Sequence, residues 1–260
     1  MRVRTDWEDL PDLVRMTVRI RAGRVISAET VPGGAACHAA MVLDTEQGGP
    51  LFVKGVRTQD RDGRRAQVRE GRINPFLSSV SPTVRWEAEV SGWHVIAFAF
   101  VAGAPADLSS TSADLEPVAE VLRLARLCRV PTSVDIPPLT DRCLPCLHPG
   151  DADALAGADL LHTDPNPRNL LVTDQRAYLV DWTAPALGPS WVDPALTAVR
   201  LMEAGCEPSE ARAWLAGFPD WTQAPRDAAQ RFVELMCRHR THTAAAEAEP
   251  GNARLRALLG

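Results

Sequence analysis

Lysine is almost absent from this chain: 28 basic residues comprise 27 arginines and one lysine, Lys54. Long apolar runs are missing too, and no stretch approaches the roughly 20 uncharged residues of a membrane span. The opening segment MRVRTDWEDLPDL lacks the apolar core of a signal peptide. Together these absences lead to the expectation of a cytoplasmic protein with no membrane partner. Basic charge is not in surplus, because the net charge is −5, and that argues against a nucleic-acid binder. Six cysteines include a single CxxC, Cys143 and Cys146, with His148 two residues beyond. These three could ligate zinc, but no second CxxC completes the usual tetrahedral set. Reduced, partly buried thiols are expected instead.

What is present is an ordinary globular composition, 45% hydrophobic and 23% charged, which excludes a largely disordered chain. At 260 residues the chain is at the upper end for one core, so one large domain or two lobes is expected.

The densest signal is His162 to Asp181, HTDPNPRNLLVTDQRAYLVD. In this composition H-x-D-x4-N arises by chance roughly 0.007 times, so coincidence explains it poorly. Pro165 and Pro167 keep the segment from being a helix interior. It reads as a loop running into a strand at Leu170 to Val172, a turn at Asp174 and Gln175, and a second strand, Ala177 to Val180, that brings Asp181 beside the loop. Asn169 and Asp181 offer the hard oxygen ligands that Mg2+ prefers. Asp164 is then the candidate catalytic base, orienting a substrate hydroxyl and accepting its proton. A purely structural Asp-, Asn- and Pro-rich turn is the alternative.

Lys54 ends the apolar run Pro50 to Lys54 after the turn Gln47-Gly48-Gly49, a strand entered from a hairpin. In an arginine-rich chain, a retained lysine marks a place where a compact ammonium does what the planar fork cannot, such as reaching nucleotide phosphates; an exposed strand lysine is the alternative. Upstream, Gly33 and Gly34 lie in a small-residue turn that could lid the phosphates, although it lacks GxGxxG and also suits a plain hairpin. The helix-compatible stretch Asp62 to Leu77 places Glu70 to pair with Lys54, or else on a solvated face. Two strands follow, Thr83 to Val90 and Trp93 to Val101, joined at Ser91-Gly92. The second is nearly all apolar, as a central strand should be. Ala102 to Pro105 reads as a hinge, where a purine base would meet backbone near Phe100 and Val101. From Leu196 onward the chain reads as helices, with breaks near Gly205 to Pro208, Pro219-Asp220 and Pro250-Gly251.

In order and kind, these features resemble the aminoglycoside phosphotransferase family, whose loop reads H-x-D-x4-N before a strand ending in V-D-W. The resemblance spans roughly residues 25 to 200 and is most specific from Leu160 to Pro194. It implies an α+β, protein-kinase-like two-lobed fold, with an antiparallel sheet and a helix in an N-terminal nucleotide-binding lobe, residues 1–103. A mainly helical catalytic and acceptor-binding lobe, residues 104–260, would follow. It further implies transfer of the γ-phosphate of ATP or GTP, with Mg2+, to a hydroxyl of an antibiotic-like small molecule, by a monomer or homodimer. By the same resemblance, His162 braces the loop, and Asp193 caps the next helix and braces the loop as well. Thr163 departs from the family's usual glycine, and Thr197 stands where a second aspartate is common. A homoserine-, choline- or fructosamine-type kinase and a catalytically silent nucleotide-binding regulator are the alternatives. Carboxylates that could receive a polycationic acceptor are Glu203, Glu207, Glu210, Asp220 and Glu234, each with helix-end or surface duties as the competing role. Trp182, Trp191, Trp214 and Trp221 offer stacking surfaces or core packing.

Overall fold

A computed structural model describes residues 4–32 and 37–260, Ala246 by its backbone only. Gly33 and Gly34, the candidate phosphate lid, lie outside the described residues. The chain forms two compact units that divide between Ala102 and Gly103.

The first unit opens with helix α1 (Asp12–Ala22), followed by strands β1 (Val25–Thr30), β2 (Ala39–Thr45) and β3 (Leu51–Arg57). Helix α2 (Arg61–Ile73) precedes β4 (Val84–Val90) and β5 (Trp93–Ala99). The sheet order is β1-β2-β3-β5-β4, with antiparallel neighbours throughout. The apolar run of β5 lies between two partners and is buried over six successive residues, whereas edge strand β4 alternates between half-buried and exposed. Ser91 and Gly92 both take positive φ, 50° and 76°, as the two central residues of a tight hairpin turn require. One sheet face packs on α1, where Val14, Val18 and Ala22 recur every four residues against Met41, Leu43, Val53, Val95 and Ala97. The opposite side receives α2 through Gln67, Glu70 and Ile73, spaced three apart. That helix is held by Asp60, whose side chain accepts from Gly63 N at 3.0 Å.

The second unit begins at β6 (Ala104–Pro105), continues through α3 (Leu115–Ala125), α4 (Asp151–Ala154), β7 (Asp159–Leu161), β8 (Leu170–Val172), β9 (Ala177–Leu179) and β10 (Ala186–Gly188), and ends in helices. Those are α5 (Val192–Glu203), α6 (Pro208–Leu215), α7 (Pro219–Thr222), α8 (Arg226–Ala244) and α9 (Ala248–Ala257). Its small sheets are β6-β8-β9 and β10-β7.

Two expectations are corrected. The hinge is not loose as far as Pro105, because Ala104 and Pro105 pair with Val172 and Leu171. Gly103 is already pinned: a Cβ there would come within 2.9 Å of the Val172 carbonyl oxygen. Pro250-Gly251 does not break the last helix either, since both residues lie inside α9. Pro250 occupies its first turn, where a missing N–H removes no helical bond. The interruption falls at the 3-10 turn Ala245–Glu247. The break at Gly205 is as expected: Gly205 has φ 98°, and Cys206 N reaches back to Leu201 O at 3.0 Å, closing α5 in a Schellman motif.

His94 on β5 is buried and bonded to Gln67 on α2, with 2.9 Å between Gln67 Nε2 and His94 Nδ1. Burial lowers its pKa, and Glu87 opposes that shift. A depressed histidine favours the folded state above the unfolded value of about 6.5, and the contribution is lost as pH falls from there through the folded value. The urea midpoint should therefore drop between pH 7 and pH 5 more steeply for the wild type than for His94→Gln. Parallel curves for the two proteins would refute this role.

Candidate active site

In the first unit, β3 places Lys54 opposite Ile96 and Ala40, and α2 brings Glu70 to it. Lys54 Nζ donates to Glu70 Oε1 at 2.8 Å and Oε2 at 3.0 Å. Both residues are buried, and Nζ lies 5.6 Å from the Phe98 ring centroid. The exposed-strand and solvated-face alternatives for these residues are thereby excluded. Desolvating two charges costs more than such a pair regularly returns in stability, so apolar residues would serve the fold alone at least as well. Phe100 and Val101 follow β5 outside any strand, Phe100 37% exposed and Val101 half-buried.

In the second unit, the loop between β7 and β8 carries His162 to Asn169. Its geometry comes from the β8–β9 hairpin, in which Leu170 opposes Leu179 and Val180 N donates to Asn169 O at 2.9 Å. Asn169 and Asp181 consequently occupy the same hairpin end. Asn166 N donates to Asp164 O at 2.8 Å, and the Asn166 side chain accepts from Arg168 N at 2.9 Å, capping a 3-10 turn over Pro167–Asn169. Asn169 Nδ2 donates to Asp164 O at 3.0 Å, which commits the amide nitrogen and leaves the oxygen for a ligand. An aspartate carboxylate and an asparagine amide oxygen carried at one hairpin end are the hard oxygen donors that Mg2+ takes alongside its waters.

Asp193, the second residue of α5, holds this loop. Its Oδ2 accepts from His162 N at 2.7 Å and its Oδ1 from Thr163 N at 2.8 Å. Burial pushes its carboxyl above the ordinary carboxylate range, while His162 and the two amides oppose the shift. It does not cap the helix as well: Trp191 stands at the N-cap with no side-chain cap bond, because both carboxylate oxygens already face the loop. Thr197 donates its hydroxyl to Asp193 O at 2.8 Å. His162 accepts at Nδ1 from Asp164 N at 3.3 Å and donates from Nε2 to Val180 O at 2.8 Å, so one imidazole ties the loop to the second strand. Trp182 packs edge-on against it with centroids 4.7 Å apart.

Two residues of this region adopt left-handed backbone, Thr163 at φ 70° and Asp181 at φ 65°. A glycine would take the first without cost; a β-branched residue stores strain there. Thr163 is held in place by its hydroxyl, which donates to Ala184 O at 2.8 Å, and by Arg142, whose guanidinium contacts the same hydroxyl.

Several contacts were not foreseen from the sequence. Arg200 on α5 places Nη2 3.3 Å from Asp164 Oδ1 and Nη1 2.7 Å from Glu203 Oε2. Asn166 donates to Asp164 Oδ2 at 3.0 Å. The one usable signal for Arg200 was its place as the only charge between Pro194 and Met202. Of the candidate stacking residues, Trp182 and Trp191 are buried in the core, and Trp191 packs on Trp221 and Phe232. Cys143, Cys146 and the other four cysteines are all buried, none in a disulfide, and burial pushes the Cys143 thiol up to about 11. Among the described residues no group of three or more His, Cys, Asp or Glu could hold a metal ion. No described helix is long and apolar enough to cross a membrane.

No protein-family model matches the chain, and no curated protein matches its sequence. Solved structures do match. A macrolide 2'-phosphotransferase from Brachybacterium faecium superposes with TM-score 0.60 at 17% identity, covering 95% of this chain and 97% of that one. An amicoumacin kinase complexed with AMP-PNP and Ca2+ gives 0.61 at 10% identity, covering 96% and 93%. A choline kinase from Streptococcus pneumoniae gives 0.59 at 11%, covering 95% and 97%. The fold is that of the protein-kinase-like small-molecule kinases. At these identities the likeness is one of fold, and the expected α+β architecture is borne out.

Removing the Asp193 carboxylate strands two buried amide donors, each worth about 1–3 kcal/mol. Asp193→Ala should lower the unfolding free energy by about 2–5 kcal/mol, with Asp193→Asn intermediate. Denaturant titration reads this directly, and a change within error would show that the loop does not depend on the carboxylate.

Proposed function

We propose that the chain is a nucleotide-dependent kinase that transfers the γ-phosphoryl group of ATP or GTP to a hydroxyl of a small, antibiotic-like molecule. The observation that carries this reading is the Asp164 carboxylate, braced on its loop beside the hairpin end that bears Asn169 and Asp181. In this mechanism Asp164 accepts the proton of the acceptor hydroxyl as its oxygen bonds to the γ-phosphorus. The bond between that phosphorus and the bridging oxygen breaks, and the nucleoside diphosphate leaves. Asn166 and Asn169 donate to Asp164 Oδ2 at 3.0 and 3.4 Å and hold the carboxylate in position, which limits its rearrangement during the reaction. Asn169 and Asp181 would hold Mg2+. When bound, Mg2+ neutralises charge on the phosphate oxygens. Lys54, held by Glu70, would contact the phosphates. Phe100 and Val101 are proposed to meet the purine base, and Gly33 and Gly34 to cover the phosphates.

A metabolic kinase of the choline or fructosamine type stands beside this reading, supported by the equally extensive fold likeness to a choline kinase. The two differ in acceptor and share the chemistry. Retention of the base candidate, both metal-ligand candidates and the lysine speaks against a silent regulator.

Asp164→Asn removes the proton acceptor while keeping shape. Turnover should fall by about 10^2 to 10^4, with nucleotide binding preserved. The assay incubates wild type and variant with Mg2+, ATP or GTP and hydroxylated acceptors, and follows acceptor mass. Undiminished turnover in the variant would sink the assignment of Asp164.

A further inference from the structure

The charges around the Asp164 loop restrict the acceptor. A polycation binds through carboxylates that have no other partner. The five carboxylates best placed by sequence to serve one are all engaged within the chain. Glu203 pairs with Arg200 at 2.7 Å, Asp220 pairs with Arg126, and Glu234 accepts from Gln230 at 2.9 Å. Glu207 and Glu210 close a reciprocal capping box at the start of α6. Apart from the buried Asp193, whose two oxygens are taken by loop amides, three arginines stand at the loop. Arg200 reaches Asp164 itself, and Arg142 reaches the adjacent Thr163 and donates to Ala184 O at 2.8 Å. Arg168 is exposed on the loop.

The Arg200 contact is long for a charge-assisted bond, 3.3 Å from Asp164 against about 2.7–2.9 Å for a tight one. Its side chain also stays 31% accessible. A new anion could therefore take the Asp164 end of the guanidinium without disturbing Glu203.

We infer that Arg200 is a specificity-determining residue, selecting an acceptor that carries a carboxylate or phosphate beside the hydroxyl to be phosphorylated. This rests on the kinase reading above and narrows its acceptor away from polycations. The acceptor's anion replaces the Asp164 carboxylate on Arg200, and Asp164 Oδ1 is released to face the hydroxyl. The anion thus both docks the substrate and frees the base.

The test offers the wild type, Arg200→Gln and Arg200→Lys four acceptor sets with Mg2+ and ATP or GTP: hydroxy acids, sugar phosphates, neutral polyols and aminoglycosides. Transfer is expected to a hydroxy acid or a sugar phosphate, and the arm that responds identifies the anion. Loss of a hydrogen bond to a charged group should raise KM for that acceptor about 10- to 100-fold in Arg200→Gln, more than it lowers kcat. Arg200→Lys should recover part of the loss, which also shows that the effect is not misfolding. Transfer only to aminoglycosides or neutral polyols, or an unchanged KM in Arg200→Gln, overturns the inference and leaves the kinase reading standing. Absence of Mg2+-dependent nucleotide turnover with every acceptor overturns both.

Discussion

The site in the second unit depends on a single buried carboxylate. Asp193 is the only described group that fixes both His162 N and Thr163 N, and through them the turn that presents Asp164. His162 passes the constraint across to Val180 O, the carbonyl just before Asp181. One acid at the start of α5 thereby sets the positions of a candidate base before β8 and a candidate metal ligand after β9. Because the acid is buried, its bonds face no competition from water, and a small displacement of α5 would be felt directly at the loop.

Elsewhere the chain departs from what stability alone would favour. Lys54 and Glu70 give up solvation for a contact that apolar side chains could replace. Thr163 and Asp181 hold left-handed backbone that costs of order 1–3 kcal/mol at each non-glycine position. Lys54 and Asp181 are residues that the proposed chemistry would use, and Thr163 adjoins Asp164. A fold optimised only for burial would have put glycine at 163 and a leucine or methionine at 54.

What could be read in the sequence was what is local. H-x-D-x4-N, the strand after it and the V-D-W end lie between His162 and Trp182, so hairpin pairing alone brings Asn169 and Asp181 to one end. Lys54 stood out because the chain has no other lysine, and Glu70 followed from the only helix near it in sequence. Arg200 could not be read this way: it meets Asp164 across 36 residues through the packing of α5, for which no spacing rule exists. Asp193 was read as capping its helix as well as bracing the loop. Both of its oxygens go to the loop, which only the three-dimensional path of β7 reveals. Pro250-Gly251 carries no break because a first helical turn tolerates both residues, and Ala104-Pro105 carries no strand signal because two residues are too few to show periodicity.

Asn169 and Asp181 are proposed to form a divalent-cation site completed by nucleotide phosphates. Electron paramagnetic resonance of free Mn2+, standing in for Mg2+, measures that directly in the presence of AMP-PNP or GMP-PNP. The wild type should remove free Mn2+ signal beyond the loss that the nucleotide alone causes, and only when nucleotide is present, whereas Asp181→Asn, correctly folded, should lose this extra uptake. Nucleotide-dependent Mn2+ uptake by Asp181→Asn equal to that of the wild type would contradict it.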